Sequence, residues 1–131
     1  MLRAIIAVIV GYALWSVVWV VGNAVLFARA AEAVGRGEAF LEPGPLAGAL
    51  VLSVACSLLA GAACGKIAGA RTRPAALVLG GLLLLTGIGV QASIWNLEPL
   101  WYHAAFLVLL GPVTVLAAVI AAGRAGKSVV A

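Results

Sequence analysis

The sequence predicts an all-α integral membrane protein: a four-transmembrane-helix bundle with both termini in the cytoplasm, built as a single membrane domain over residues 1–131. Two observations predict this class. Hydrophobic residues make up 66% of the chain and charged residues only 9%, whereas soluble domains carry about 25% charged residues. The apolar residues are also gathered into four long runs, and about 20 apolar residues let a helix cross the hydrocarbon core of a bilayer.

The four apolar runs each predict one membrane-spanning helix. They cover residues 4–27, 46–70, 75–97 and 104–122, with lengths of 19 to 25 residues. Spanning β-strands would be about 10 residues long and would alternate in polarity, so helices are the structure that satisfies this backbone in lipid. Little chain remains outside the runs, which excludes a separate soluble domain that would catalyse a reaction or bind nucleic acid.

The first span carries aromatic residues on one face. Tyr12, Trp15, Trp19 and Asn23 are spaced three or four residues apart and therefore lie on the same side of a helix. The stripe reaches the middle of the membrane, although tryptophan is more typical of the interface. Two interpretations stay open: the stripe faces lipid, or it faces another protein or a flat ligand.

The outer loop, residues 28–45, is the one sizeable loop between the spans. It holds mixed charge and the helix-breaking run EPGP, and a short interfacial helix is expected at its start, in the letters ARAAEAV. Pro45 and Pro74 stand where a first-turn proline is tolerated. They are therefore expected to open the second and third spans.

The second span has one face made of small residues. Its central members, spaced four apart, form what we call the packing seam: Ser53, Ser57, Gly61, Gly65 and Gly69. Small residues let helix backbones approach closely, which is a main source of helix association in lipid. The third span offers small residues in turn, Gly80, Gly81, Gly87, Gly89 and Ser93. We expect spans two and three to pack closely as a hairpin; the alternative is a seam between subunits.

The basic residues predict the orientation. With four spans, one side of the membrane holds Arg3, Lys66, Arg71, Arg73, Arg124 and Lys127, and the other holds Arg29 and Arg36. Short loops rich in Lys and Arg face the cytoplasm. Both termini are therefore expected there, with the outer loop on the opposite side.

Aromatic and amide residues gather at the outer ends of the spans. They are Trp19, Asn23, Gln91, Trp95, Asn96, Trp101, Tyr102 and His103. One interpretation is the interfacial belt that Trp and Tyr form in membrane proteins generally. The other is a site for a lipid headgroup, a quinone, a pigment or a partner. In that case Asn23 and Gln91 are the first residues to mutate, because polar groups inside a membrane need partners.

Catalytic, metal and cofactor sites are not expected. The chain shows neither a nucleophile with its base nor a carboxylate pair. Its two cysteines and one histidine, without a CxxC motif, do not predict a metal site within one subunit. The carboxy-terminal letters AAGRAGKS resemble a phosphate loop, but such a loop follows a strand and this segment follows a predicted membrane helix. We therefore expect no enzyme activity, no cofactor, no nucleotide and no nucleic acid.

The opening segment MLRAIIAVIVGY, together with four short spans, resembles small bacterial inner-membrane proteins without an assigned activity. The resemblance implies a multi-pass protein of the bacterial inner membrane and carries over no functional residues. The residues themselves favour a small integral-membrane accessory or structural subunit, whose partners are membrane lipids and copies of itself or other membrane subunits. The alternative is a minimal oligomeric transporter or channel for a small solute or ion. A proton-coupled carrier would hold an ionisable residue inside the membrane, and none of the four acids lies in the middle of a span.

Overall fold

The fold is helical throughout the part of the chain that the structure describes. This structure, a computed structural model, describes the backbone of residues 2–130 and the side chains of residues 2–123. Its helices are α1 (Leu2–Leu26), α2 (Ala28–Gly35), α3 (Pro43–Ala68), α4 (Thr72–Ser93) and α5 (Leu100–Val130), with a 3₁₀ turn at Gly69–Arg71. The predicted all-α class is confirmed, and α2 coincides with the short helix expected in the letters ARAAEAV.

Three helical segments among the described residues are long and apolar enough to cross a membrane. They are Leu2–Leu26, Pro43–Ser93 and Leu100–Gly123, and their length and composition are those of a membrane protein. The second segment is 51 residues long and contains predicted span two, the 3₁₀ turn and most of predicted span three. The side chains of Arg124 and Lys127, which entered the orientation argument, and most of the segment AAGRAGKS lie outside the described side chains.

The chain turns back on itself between α3 and α4. Gly69 has a φ of 60°, in the left-handed region that favours glycine. Thr72 Oγ1 donates to the carbonyl oxygen of Gly69, 2.6 Å away, and so satisfies an acceptor that the end of a helix leaves open. Arg3 Nε donates to the carbonyl oxygen of Ile67 at 2.9 Å. The start of α1 therefore lies at the same end of the molecule as this turn.

Helices α1 and α3 pack antiparallel. The start of α1 lies beside the end of α3, and further along, Trp15 Nε1 donates to Ser57 Oγ at 3.1 Å. Towards the other end, Gly22 of α1 faces the side chain of Leu52. The pair therefore places the polar atoms of Trp15 and Ser57 in contact, so that each satisfies the other inside the protein.

The seam residues Gly61 and Gly65 lie directly against α5. A Cβ atom on Gly61 would collide with the carbonyl oxygen of Thr114, and one on Gly65 with the carbonyl oxygen of Ala118. Small residues permit this approach of two backbones. Helix α3 contacts α5 more extensively than it contacts α1 or α4, and its contact with α4 is small.

The predicted hairpin of spans two and three is therefore wrong as a packing pair. The glycines of α4 do not face α3. Gly80 and Gly87 face α5, whereas a Cβ atom on Gly81 or Gly89 would meet no described atom within 4 Å. The physical reason is that the inner side of α5 is also built of small residues, such as Ala118, which is 0% exposed. Helix α5 consequently serves as the close neighbour of both α3 and α4, although only a three-residue turn joins α3 to α4 in the chain.

The end of the molecule opposite the 3₁₀ turn is formed by α2 and two loops. The backbone N–H of Phe40 donates to the carbonyl oxygen of Leu97 at 2.7 Å, which joins the loop after α2 to the loop after α4. The Phe40 side chain is buried in a small apolar cluster with Ala33, Leu46 and Tyr102. These contacts bring α2, α3 and α5 together at this end, where the candidate site lies.

Candidate functional site

A cavity of about 300 Å³ lies at the α2 end of the molecule, partly open to the outside. All five helices and the loop between α4 and α5 contribute to its wall, and we call it the five-helix cavity. Its polar residues are Asn23, Gln91, Glu98 and Tyr102, and its apolar residues are Trp19, Val20, Ala30, Ala31, Val34, Pro45, Leu46, Ala49, Val90 and Ile94. An apolar cavity with a few converging polar groups is the usual form of a small-molecule binding site.

Four of the eight predicted outer residues line the five-helix cavity: Trp19, Asn23, Gln91 and Tyr102. The others lie outside its wall. Trp95 is 46% exposed and stacks on His103, with ring centroids 4.4 Å apart. Trp101 is exposed and meets Tyr102 edge to face, and Asn96 is exposed. The predicted set therefore divides into four residues of the cavity wall, three exposed residues and the buried His103.

His103 is fully buried and holds Gln91 in place. Its Nε2 lies 3.0 Å from the carbonyl oxygen of Trp95; because a carbonyl only accepts, Nε2 carries the hydrogen and donates. Its Nδ1 is hydrogen-bonded to the side-chain amide of Gln91.

Asn23 and Glu98 add acceptors to the wall. The Asn23 amide nitrogen donates to the carbonyl oxygen of Trp19 at 2.8 Å, which leaves the amide oxygen available. Oε2 of Glu98 is buried and makes no hydrogen bond among the described residues. Burial raises the pKa of the Glu98 carboxyl from its ordinary 4.5 to about 7, because removal from water disfavours the ionised form.

Aromatic rings pack beneath the cavity. Trp19 stacks on Trp15 with ring centroids 5.3 Å apart, and Phe106 of α5 lies 5.2 Å from Trp19 and 6.1 Å from Tyr102. The first-span stripe thus faces protein at Trp15, which is buried and bonded to Ser57. Tyr12 is half-buried, with its hydroxyl 2.7 Å from that of Thr86.

Two residues of this site were not in the predicted set. Glu98 belongs to the segment EPLWYH, which also holds Trp101, Tyr102 and His103 of the predicted set, and the available clue was an acid placed directly after an apolar run. Phe106 lies one helical turn after Tyr102, so the same face of α5 continues the aromatic wall. The sequence predicted α2 as a short helix but not as part of this site. Its small residues Ala30 and Ala31 form one side of the cavity.

The packing seam lies away from this cavity. Ser53, Ser57, Gly61 and Gly65 are buried, and Gly69 is half-buried at the turn. Ser53 Oγ has no hydrogen-bond partner in the described part of the chain. Cys56 and Cys64 are buried free thiols, and the described residues hold no group of three ligands that could bind a metal ion.

A scan against protein-family models, a search of curated proteins and a search of solved structures each found no match to this chain.

Proposed function

We propose that this chain is a four-span protein of the bacterial inner membrane, with both termini in the cytoplasm. We propose further that it serves as a small accessory or structural subunit, which acts through helix packing in a homo-oligomer or a larger membrane complex. Its immediate partners are then membrane lipids and neighbouring subunits.

The geometry of the 51-residue segment supports four crossings. As one straight helix, 51 residues would extend about 75 Å, far more than a hydrocarbon core of about 30 Å. Instead the segment turns at Gly69–Arg71, and the start of α1 lies beside that turn. Two crossings that meet at this turn account for its length.

The basic residues support the orientation. Lys66, Arg71 and Arg73 flank the turn in the sequence, and Arg3 is hydrogen-bonded beside it. This end of the molecule is therefore the basic one. Cytoplasmic placement of the basic end follows the positive-inside rule.

The distribution of side chains around the helices is the observation that carries the structural role. Inward faces hold small residues in backbone contact and polar groups that bond to one another, such as Trp15 with Ser57. Outward faces carry large aliphatic side chains, including Leu85 and Val108, which are strongly exposed. A chain that fills its own centre and presents apolar surface on the outside fits a packing subunit.

Helix α4 is where we place the contact with another subunit. Gly81 and Gly89 lie on its exposed side, and a Cβ atom there would meet no described atom. They stand about two turns apart along one side of the helix, where a partner helix can approach the backbone closely. The same reasoning that brings α5 against α3 thus applies to a helix of a second subunit.

Native mass spectrometry of the full chain, released from nanodiscs or a mild detergent, tests this role. We expect a defined homo-oligomer or a reproducibly retained membrane protein, and we expect Gly81→Leu combined with Gly89→Leu to dissociate it. Ala104→Leu, on an exposed position of α5, is the control and should leave the assembly intact. A strictly monomeric chain without a retained protein would contradict the proposal. A homo-oligomer that also conducts ions in liposomes would favour the transporter or channel instead.

A further inference from the structure

We infer that the five-helix cavity binds the protonated amine of an amphiphile, whose apolar chain lies in a groove between α1 and α4. The inference goes beyond the subunit role proposed above and does not depend on it. Its evidence is the set of free acceptors in the cavity wall and the apolar groove that continues from it.

The polar groups of the cavity match an ammonium group. Glu98 lines the cavity, and the buried Oε2 of its carboxyl group makes no hydrogen bond among the described residues. Asn23 offers its amide oxygen, since its amide nitrogen is already bonded to the carbonyl oxygen of Trp19. A protonated primary amine carries three donors and no acceptor. A carboxyl group and an amide oxygen on two different elements therefore complement it in charge and in hydrogen-bonding type.

An anionic ligand does not fit this wall. A phosphate or carboxylate would face the Glu98 carboxyl and the Asn23 amide oxygen, and Glu98 and Tyr102 are the titratable residues among those that line the cavity. The basic residues of this end, Arg29 and Arg36, line a separate depression with Glu32, Glu38 and Glu42. The charge of the cavity thus selects a cation.

The walls around the acceptors are apolar, which favours an organic cation over a hydrated metal ion. Val20, Val34, Leu46 and Ile94 line the same cavity. Trp19 also contributes its ring to the wall, and the faces of tryptophan rings attract cations, including organic ammonium groups. The occupant therefore has both a charged head and a hydrocarbon part.

A groove for the hydrocarbon part leads away from the cavity. A second depression of about 170 Å³ shares Trp19, Val20 and Val90 with the five-helix cavity and extends to Ser16 and Leu83. Two more shallow apolar depressions follow between α1 and α4. Together they form what we call the α1–α4 groove.

The α1–α4 groove has the length of a lipid-sized chain. It reaches from Val90 to Pro74 on α4, a rise of about 24 Å for sixteen residues of helix. Its wall is almost entirely apolar, with Val8, Ile9 and Val78 among its residues. An extended alkyl or acyl chain fits this shape, and its head then reaches Glu98.

Two sources share this chemistry: an aminophospholipid such as phosphatidylethanolamine, and a free alkylamine. The first arm of the experiment titrates the purified chain with octylamine and with 1-octanol and follows tryptophan fluorescence. The second arm places the chain in nanodiscs of phosphatidylethanolamine or phosphatidylglycerol and reads the retained lipid by native mass spectrometry. Retained phosphatidylethanolamine assigns the site to the lipid, and octylamine binding without it assigns the site to a free amine.

The variants separate the carboxylate from general apolar binding. We expect octylamine to bind at least about tenfold more tightly than 1-octanol, and Glu98→Gln to remove this difference, since a charge-assisted hydrogen bond is worth about that factor or more. Glu42→Gln, an exposed glutamate outside the cavity, is the control and should bind as the wild type does. Ser16→Phe, which fills the groove, should reduce lipid retention, whereas Val25→Phe on the opposite, exposed side of α1 should not.

The inference is overturned if 1-octanol binds as tightly as octylamine, or if Glu98→Gln, folded as judged by its unfolding temperature, binds octylamine as the wild type does. Should Glu98→Gln not fold, Ala31→Phe fills the cavity without removing the carboxylate. Loss of octylamine binding in that variant supports the inference, and unchanged binding overturns it. A monomeric result in the assembly experiment would leave these outcomes unaffected, so the two proposals fail separately.

Discussion

At the scale of single residues, the polar groups at the α2 end connect a buried ring to the cavity. His103 is 0% exposed and Gln91 2% exposed, and their hydrogen bond joins α5 to α4. The second ring nitrogen of His103 bonds to the carbonyl oxygen of Trp95. The imidazole thus links the side chain of Gln91 to the backbone that follows α4.

We predict that Gln91→Leu destabilises the protein by about 1–3 kcal/mol, because His103 Nδ1 is left buried without a partner. Unfolding of the purified chain in mixed micelles measures the change. Asn96→Leu, an exposed amide at the same end, should change stability by less than about 0.5 kcal/mol. Equal effects of the two substitutions would show that the bond to His103 contributes nothing particular.

Glu98 should make stability depend on pH near neutrality. Its pKa is raised from 4.5 to about 7 by burial, so the folded state holds the proton more tightly than the unfolded state. The resulting stabilisation is fully present below pH 4.5 and is lost as the pH rises through about 7. Tyr102 is the other titratable residue lining the cavity, and it is neutral over this range.

The measurement is the unfolding temperature of wild type and Glu98→Gln between pH 4.5 and 8. We expect the unfolding temperature of Glu98→Gln to rise relative to that of the wild type as the pH rises to about 7, because glutamine cannot ionise. Glu32→Gln, at an exposed position, should follow the wild-type curve. Parallel curves for wild type and Glu98→Gln would mean that the carboxyl titrates alike in the folded and unfolded states.

At the scale of helices, the close contact of α3 with α5 sets the arrangement. Gly61 and Gly65 bring the α3 backbone against Thr114 and Ala118. On the α5 side of this contact, Thr114 Oγ1 donates to the carbonyl oxygen of Leu110 in the same helix, at 2.8 Å. Side chains larger than hydrogen have no room at Gly61 and Gly65.

We predict that Gly65→Leu destabilises the fold by at least about 1–3 kcal/mol, the usual cost of overpacking a tight interior. Gly44→Leu is the matched control on the same helix, because a Cβ atom on Gly44 would meet no described atom within 4 Å. Unfolding in micelles gives both values. If the two substitutions cost the same, the contact between α3 and α5 is not tight in solution.

The sequence predicted where the helices lie better than which helices meet. Apolar runs locate helices well, because lipid requires about 20 apolar residues in a row. The partner of the packing seam could not be read in this way, since small residues line faces of α3, α4 and α5 alike. Periodicity identifies a face, whereas the neighbour of that face depends on how all the helices pack together.

The candidate site was predictable in part for a related reason. Trp19, Asn23, Gln91 and Tyr102 were grouped by their depth along the helices, and they line one cavity. Depth does not determine rotation about the helix axis or the path of a loop. His103 therefore lies behind Gln91 and not in the wall of the cavity. Trp95 and Trp101 are exposed, whereas Glu98, in the loop between α4 and α5, lines the cavity.

At the scale of the whole molecule, the account depends on a chain that crosses the membrane four times. The long helices place small and hydrogen-bonded residues inside and large aliphatic residues outside, the arrangement of a protein surrounded by lipid. The 3₁₀ turn with the start of α1 lies at one end, and α2 with the five-helix cavity lies at the other. Four crossings put these two ends on opposite sides of the membrane.

Labelling of introduced cysteines in intact cells tests this claim most directly, because the native thiols of Cys56 and Cys64 are buried. Single variants Glu38→Cys, Asn96→Cys and Ala70→Cys place a thiol at exposed positions in the loop after α2, the loop after α4 and the 3₁₀ turn. With a membrane-impermeant maleimide, we predict labelling at positions 38 and 96 in intact cells and at position 70 only after permeabilisation. Labelling of position 70 in intact cells alongside position 38, or of positions 38 and 96 from opposite sides, would contradict the account.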